Sequence, residues 1–152
     1  MADFSDLLTP AAVVAGVTAR ARKPLIVRAA EAVAGAHGLD KAAAAAALSA
    51  RERLGSTGFG GGVAIPHARL DGLSQPVGAF LRLDTPAPFD AVDGQPVDLL
   101  FVLLSPMTAG PEHLKALARI SRALRDREFV AKLRGAGSED ALFALLGGAH
   151  AA

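Results

Sequence analysis

At 152 residues, 51% hydrophobic and 20% charged, the chain is long enough for one domain with its own core and too apolar for disorder. A net charge of +1 gives no electrostatic reason to expect nucleic acid or an acidic membrane, and the lack of cysteine rules out disulfides, thiolate metal sites and thiol catalysis. The N-terminus carries Asp3 and Asp6 and no basic run, and the apolar runs fall far short of the ~20 residues a membrane span needs. The expectation is a cytoplasmic protein, not inserted in the membrane, with one domain over 1–152, a core from about 7 to 146 and a frayed tail at 147–152.

In chain order, Thr9-Pro10 has the form of an N-cap followed by a first helical position, which predicts a short helix to about Val17. Pro24 opens a second helix, in which Leu25, Arg28, Ala29, Ala32 and Val33 recur at three- and four-residue steps, and Gly35 and Gly38 supply its stop. Asp40 caps a third, which runs through six consecutive alanines to about Arg53; alanine is the best helix former and lets neighbours pack closely.

The next stretch, Arg51 to Arg69, is of a different kind. Five glycines fall within Gly55 to Gly62, a density no helix or central strand tolerates, so the chain must loop. Val63-Ala64-Ile65 reads as a short strand that Pro66 ends, because proline has no N–H for the ladder. His67 is then expected just past a strand end. Gly55, Gly58 and Gly60 leave backbone N–H groups able to approach an anion, with the Ser56 and Thr57 hydroxyls among them. Arg51 adds a permanently charged fork suited to phosphate oxygens. A histidine nucleophile, a permissive backbone and an arginine suggest phosphoryl transfer through a phosphohistidine; the residues alone also allow a strand-end histidine held for structural reasons.

Beyond the loop the period becomes two: Val77, Ala79, Leu81 and Leu83 alternate with Gly78, Phe80, Arg82 and Asp84, which predicts a strand with one face in the core. Thr85 to Pro96, with three prolines and Asp93-Gly94, reads as loop. Val97 to Leu104 is nearly continuous in apolar residues, as a central strand covered on both faces is. Gly110 and Pro111 then suit the N-cap and first position of a helix to about Arg125, with His113 in its first turn on the inward face shared by Leu117, Ile120 and Leu124. Arg119, Arg122, Arg125 and Arg127 read as a solvated basic face. Helices at 128–133 and 138–146 close the domain, while His37 and His150 carry no expected role. There is no lysine in the loop for a P-loop, no G-x-G-x-x-G, and no H-E-x-x-H to make His67, Glu112 and His113 a metal site.

The run R-E-x-x-G-S-T-G-F-G-G-G-V-A-I-P-H-A-R resembles the active-site signature of the enzyme IIA proteins of the fructose/mannitol and nitrogen types in the bacterial phosphoenolpyruvate phosphotransferase system. His113-Leu114-Lys115-Ala116-Leu117-Ala118 is similar to the setting of that family's second histidine. The resemblance implies an α/β domain with a mixed sheet of about five strands flanked by helices, and no cofactor or metal. It implies that His67 takes a phosphoryl group from an HPr-like carrier, with Arg51 and His113 stabilising it. The segment Pro88 to Pro106 and the absence of a fused partner domain look more like the nitrogen-type regulator, whose targets in the family include sensor kinases and potassium transport systems. Two alternatives remain: a sugar-transport IIA that passes phosphate to a IIB, and an interaction module switched by histidine phosphorylation.

Overall fold

In a computed structural model that describes residues 3–147, the apolar run at Val97 forms the middle of a six-stranded mixed sheet. Its strands are β1 (Val13–Val17), β2 (Gly58–Gly60), β3 (Val63–Ala64), β4 (His67–Leu70), β5 (Val77–Ala87) and β6 (Val97–Pro106). The order is β1-β5-β6-β3-β2, and β4 continues the line of β3 along β6. Strand β6 runs antiparallel to β5 and parallel to β3 and β4, and of its ten residues only Asp98 is not fully buried. The expectation of a central strand holds, and the sheet has six strands where about five were expected.

Five α-helices flank the sheet: α1 (Arg22–His37), α2 (Lys41–Arg53), α3 (Pro111–Leu124), α4 (Arg127–Gly135) and α5 (Glu139–Leu145). Their ends follow from capping. Gly38 takes the left-handed conformation (φ 69°) that closes α1, and Asp40 Oδ1 accepts from the N–H groups of Ala42 and Ala43 at 2.9 and 3.2 Å to open α2. Asp126 and Ser138 do the same for α4 and α5. The edge-on ring pairs Phe4–Phe101 and Phe80–Phe101 join the N-terminal segment to both central strands.

Three expectations are corrected. The Thr9-Pro10 signal yields only a single 3-10 turn, Pro10–Ala12, and the predicted helix to Val17 is instead the edge strand β1, whose valines pair with β5 and whose Gly16 (φ 69°) is incompatible with a helix. Strand β5 continues to Ala87 through a register shift between Arg82 and Ala87, so the loop expected from Thr85 begins only at Pro88. The first five residues of β5 are all buried, Gly78 and Phe80 included, because β1 and β6 pair with its two edges and both faces are covered. Of the tail, the residues after 147 lie outside those described.

Candidate phosphoryl site

His67 follows the end of β3, as expected, and itself opens the next strand, β4. Pro66 donates nothing but its carbonyl accepts from Leu103 N at 2.9 Å, so the parallel pairing with β6 resumes at once, with His67 opposite Leu103. Two residues earlier the Ile65 carbonyl lies 2.7 Å from His67 Nδ1. A carbonyl only accepts, so Nδ1 carries the proton and Nε2 keeps its lone pair. Burial, with the Arg51 charge as a further contribution, lowers the His67 pKa, against the opposing influence of the Ile65 bond. The ring is therefore neutral at pH 7 and nucleophilic at Nε2.

His67 faces a hollow of about 260 Å³ whose walls include Arg51 of α2, Ser56, Thr57 and Gly58 beyond it, Leu117 and Ser121 of α3, and Arg125 at the α3 C-cap. Arg51, at the last turn of α2, donates from Nη1 to the Gly55 carbonyl at 3.0 Å, which turns its guanidinium over the loop. Arg125 is exposed, as expected, and also borders the hollow with its guanidinium 5.4 Å from the centre of the Phe59 ring. Gly55 and Gly60 lie in the same loop but do not line the hollow. Gly58 is needed for close approach: a Cβ there would sit 2.8 Å from the Ala91 Cβ.

The hydroxyls of Ser56 and Thr57 and the N–H groups of Thr57 and Gly58 are hydrogen-bonded within the protein. Ser56 Oγ donates to the Phe89 carbonyl at 2.6 Å and accepts from Gly58 N–H at 3.1 Å. Both the N–H and the hydroxyl of Thr57 go to Glu52, a carboxylate 5% exposed that no sequence signal singled out. An acid in the last turn of a helix opposes the helix dipole, which in hindsight marks Glu52 as placed for some other purpose. It fixes Thr57, whose carbonyl accepts from Ile65 N–H at 3.1 Å, and Ile65 in turn holds the His67 ring. Arg22 approaches Glu52 at 3.8 Å and Asp90 at 3.6 Å.

Burial, the largest influence, raises the Glu52 pKa, while the Thr57 bonds and the Arg22 and Arg51 charges lower it. A carboxyl whose pKa is raised on folding contributes stability that is complete below the unfolded-chain value and is lost as pH rises through the folded value. Glu52→Gln cannot ionise. Its stability relative to wild type should therefore increase between about pH 4 and about pH 7, read from urea unfolding midpoints. An unchanged difference at the two pH values would show that ionised Glu52 is fully compensated.

His113 reaches the same place from α3. It is 5% exposed, its ring centre is 5.7 Å from that of His67, and its Nδ1 lies 2.6 Å from Ser105 Oγ. Burial, then the charges of Arg69 and His67, lower its pKa to about 4. Arg69 is tied through Nε to the Ala109 carbonyl at 3.0 Å. His37, bonded through Nε2 to the Gly78 carbonyl at 2.8 Å, lies in another part of the fold, and His150 is outside the described residues. Among the described residues no group of three or more His, Asp or Glu side chains is arranged to hold a metal, and no helix is long and apolar enough to cross a membrane.

A nitrogen regulatory protein of Bradyrhizobium diazoefficiens is 43% identical to this chain over 143 residues, 94% of each protein. The crystal structure of nitrogen regulatory protein IIA-Ntr from Neisseria meningitidis superposes with a TM-score of 0.85 at 37% identity, covering 93% of this chain and 97% of that one. The mannitol IIA of Escherichia coli, at 20% identity, shares the fold, with a TM-score of 0.76 over 91% of this chain and 98% of its own. The family described as phosphoenolpyruvate-dependent sugar phosphotransferase system, EIIA 2, matches residues 6–148, and the chain belongs to that family.

Proposed function

We propose that this protein is a phosphohistidine carrier of the nitrogen-regulatory type, which accepts a phosphoryl group from an HPr-like protein on Nε2 of His67. The observation that carries this reading is the 2.7 Å contact between His67 Nδ1 and the Ile65 carbonyl, which leaves a neutral Nε2 facing a hollow bordered by Arg51. In the transfer, the Nε2 lone pair forms the new P–N bond as the donor's P–N bond breaks and its electron pair returns to the donor imidazole. Nδ1 keeps its proton, and the Ile65 carbonyl offsets the positive charge that develops on the ring. No proton has to leave His67. Arg51 neutralises the phosphoryl oxygens, and the work of the site is alignment and charge stabilisation.

Apolar side chains exposed around the site suit a protein partner better than a small molecule. Val92 (85% exposed) lines the hollow, Leu54 (84%) follows the helix that carries Arg51, and Leu114 (65%) adjoins His113 in the chain. Such residues are drawn to the centre of an interface. The regulatory role is supported by the name of the Bradyrhizobium diazoefficiens relative, and the regulatory target is taken to be a protein bound differently by the free and phosphorylated forms. The family's own description favours a second reading, a sugar-transport IIA that hands phosphate to a IIB.

The test is single-turnover labelling with phosphoenolpyruvate, enzyme I and an HPr-like carrier, followed by addition of fructose- and mannitol-type IIB proteins. Rapid labelling with the phosphate retained in the presence of IIB is expected. Label passed efficiently to IIB would establish the transport reading, and failure to accept label from any carrier would end both.

A further inference from the structure

We propose that Ser105 is a positioning residue of this site: its hydroxyl donates to His113 Nδ1 and fixes the His113 proton on Nε2, making that ring an N–H donor and not a second nucleophile. The inference rests on the reading of His67 as the phosphorylated residue only for its consequence; the tautomer itself follows from hydrogen-bond accounting.

Ser105 stands on β6, opposite Arg69 of β4, and is fully buried. Its hydroxyl has one proton to place. Among the described residues the only hydrogen-bond partner of Ser105 Oγ is His113 Nδ1, at 2.6 Å. If His113 carried its proton on Nδ1, that N–H would donate to Oγ, and the hydroxyl proton would be left without an acceptor in a site that water does not reach. With the proton on Nε2, the hydroxyl donates to the Nδ1 lone pair and both groups are satisfied. The charged imidazolium, with protons on both nitrogens, meets the same objection as the first tautomer, and burial together with Arg69 and His67 disfavours it as well.

Two consequences follow for a ring whose centre lies 5.7 Å from that of His67. The first is a donor: Nε2–H can bond to an anionic phosphoryl oxygen, where a lone pair would repel it. The second is selectivity. An imidazole attacks phosphorus through an unprotonated nitrogen; His113 has Nε2 protonated and Nδ1 occupied by Ser105, so neither is open to attack. His67, with Nδ1 protonated by its bond to Ile65, is the complementary case and has Nε2 open. Two neighbouring histidines are thus held in opposite tautomers, one by a carbonyl and one by a hydroxyl.

The tautomers are read directly by long-range proton–nitrogen NMR correlation on the unphosphorylated, nitrogen-15-labelled protein at neutral pH. Wild type should show His113 with Nε2 protonated and Nδ1 unprotonated, and Ser105→Ala should shift His113 toward a mixture of both forms. In Ser105→Ala the lifetime of phosphate on His67 should fall roughly two- to tenfold, the size of one ordinary hydrogen bond. Ser105→Thr, which restores a hydroxyl, should recover the wild-type tautomer. A wild-type His113 protonated on Nδ1 overturns the proposal without any variant having to fold, and so does a tautomer unchanged in Ser105→Ala. An unchanged phosphate lifetime beside a changed tautomer removes the catalytic half. If His67 is never phosphorylated, the proposed function fails, while the tautomer measurement is still read on the free protein.

Discussion

His67→Ala is expected to reduce phosphoryl labelling to background while leaving the fold in place. The side chain is half-buried and its hydrogen bond is to the Ile65 carbonyl, so the stability cost should be about 1 kcal/mol. The loss of function should be complete, because no other side chain in the hollow has an unprotonated nitrogen to attack phosphorus. His113 is the nearest candidate, and its Nδ1 is committed to Ser105. Labelling with phosphoenolpyruvate, enzyme I and an HPr-like carrier, set beside a urea unfolding curve, separates the two effects. Label retained in His67→Ala would place the nucleophile elsewhere.

Arg51→Ala is expected to slow transfer roughly ten- to a hundredfold, the equivalent of a charge-assisted hydrogen bond of about 1.5–3 kcal/mol lost from the transition state. Its stability should change little, since the guanidinium is partly exposed and makes one protein bond, to the Gly55 carbonyl. Removing Arg51 also removes a positive charge that lowers the His67 pKa, so the basicity of His67 should rise in the variant. That change adds to the loss of rate at low pH, because it increases the protonated, non-nucleophilic fraction. The deficit in Arg51→Ala should therefore grow as pH falls below neutrality. Arg51→Lys, which keeps the charge but not the fork, should recover part of the rate. A wild-type single-turnover rate in Arg51→Ala would mark the arginine as a loop brace alone.

What the sequence makes legible here is local, and what it hides is long-range. The α2 boundaries follow from Asp40 and the glycines after Arg53, the α3 start from Gly110-Pro111, and the central strand from an unbroken apolar run; each signal is complete within a few residues. Strand β1 was hidden because Thr9-Pro10 starts a turn correctly but cannot say that the turn ends after one cycle and the valines pair with β5. The break at Pro66 was visible, but the resumption of pairing with β6 beyond it was not, so His67 was expected outside the strand that it begins. At the site, the glycine loop and the two histidines stand out by residue type and spacing. Glu52 and Ser105 do not, because each matters through one buried contact, with Thr57 and with His113 respectively. Arg125 is exposed, as its helix face predicts, but its contact with Phe59 at the rim of the hollow joins distant parts of the chain and leaves no local signal.

In the proposed transfer the phosphoryl group goes to Nε2 of His67 while Nδ1 keeps its proton on the Ile65 carbonyl. Phosphorus and nitrogen-15 NMR of the phosphorylated wild-type protein reads both nitrogens at once. A single phosphohistidine is expected, with phosphorus coupled to Nε2 of His67 and Nδ1 of the same ring still protonated; phosphorus bound to Nδ1, or to His113, would overturn the assignment.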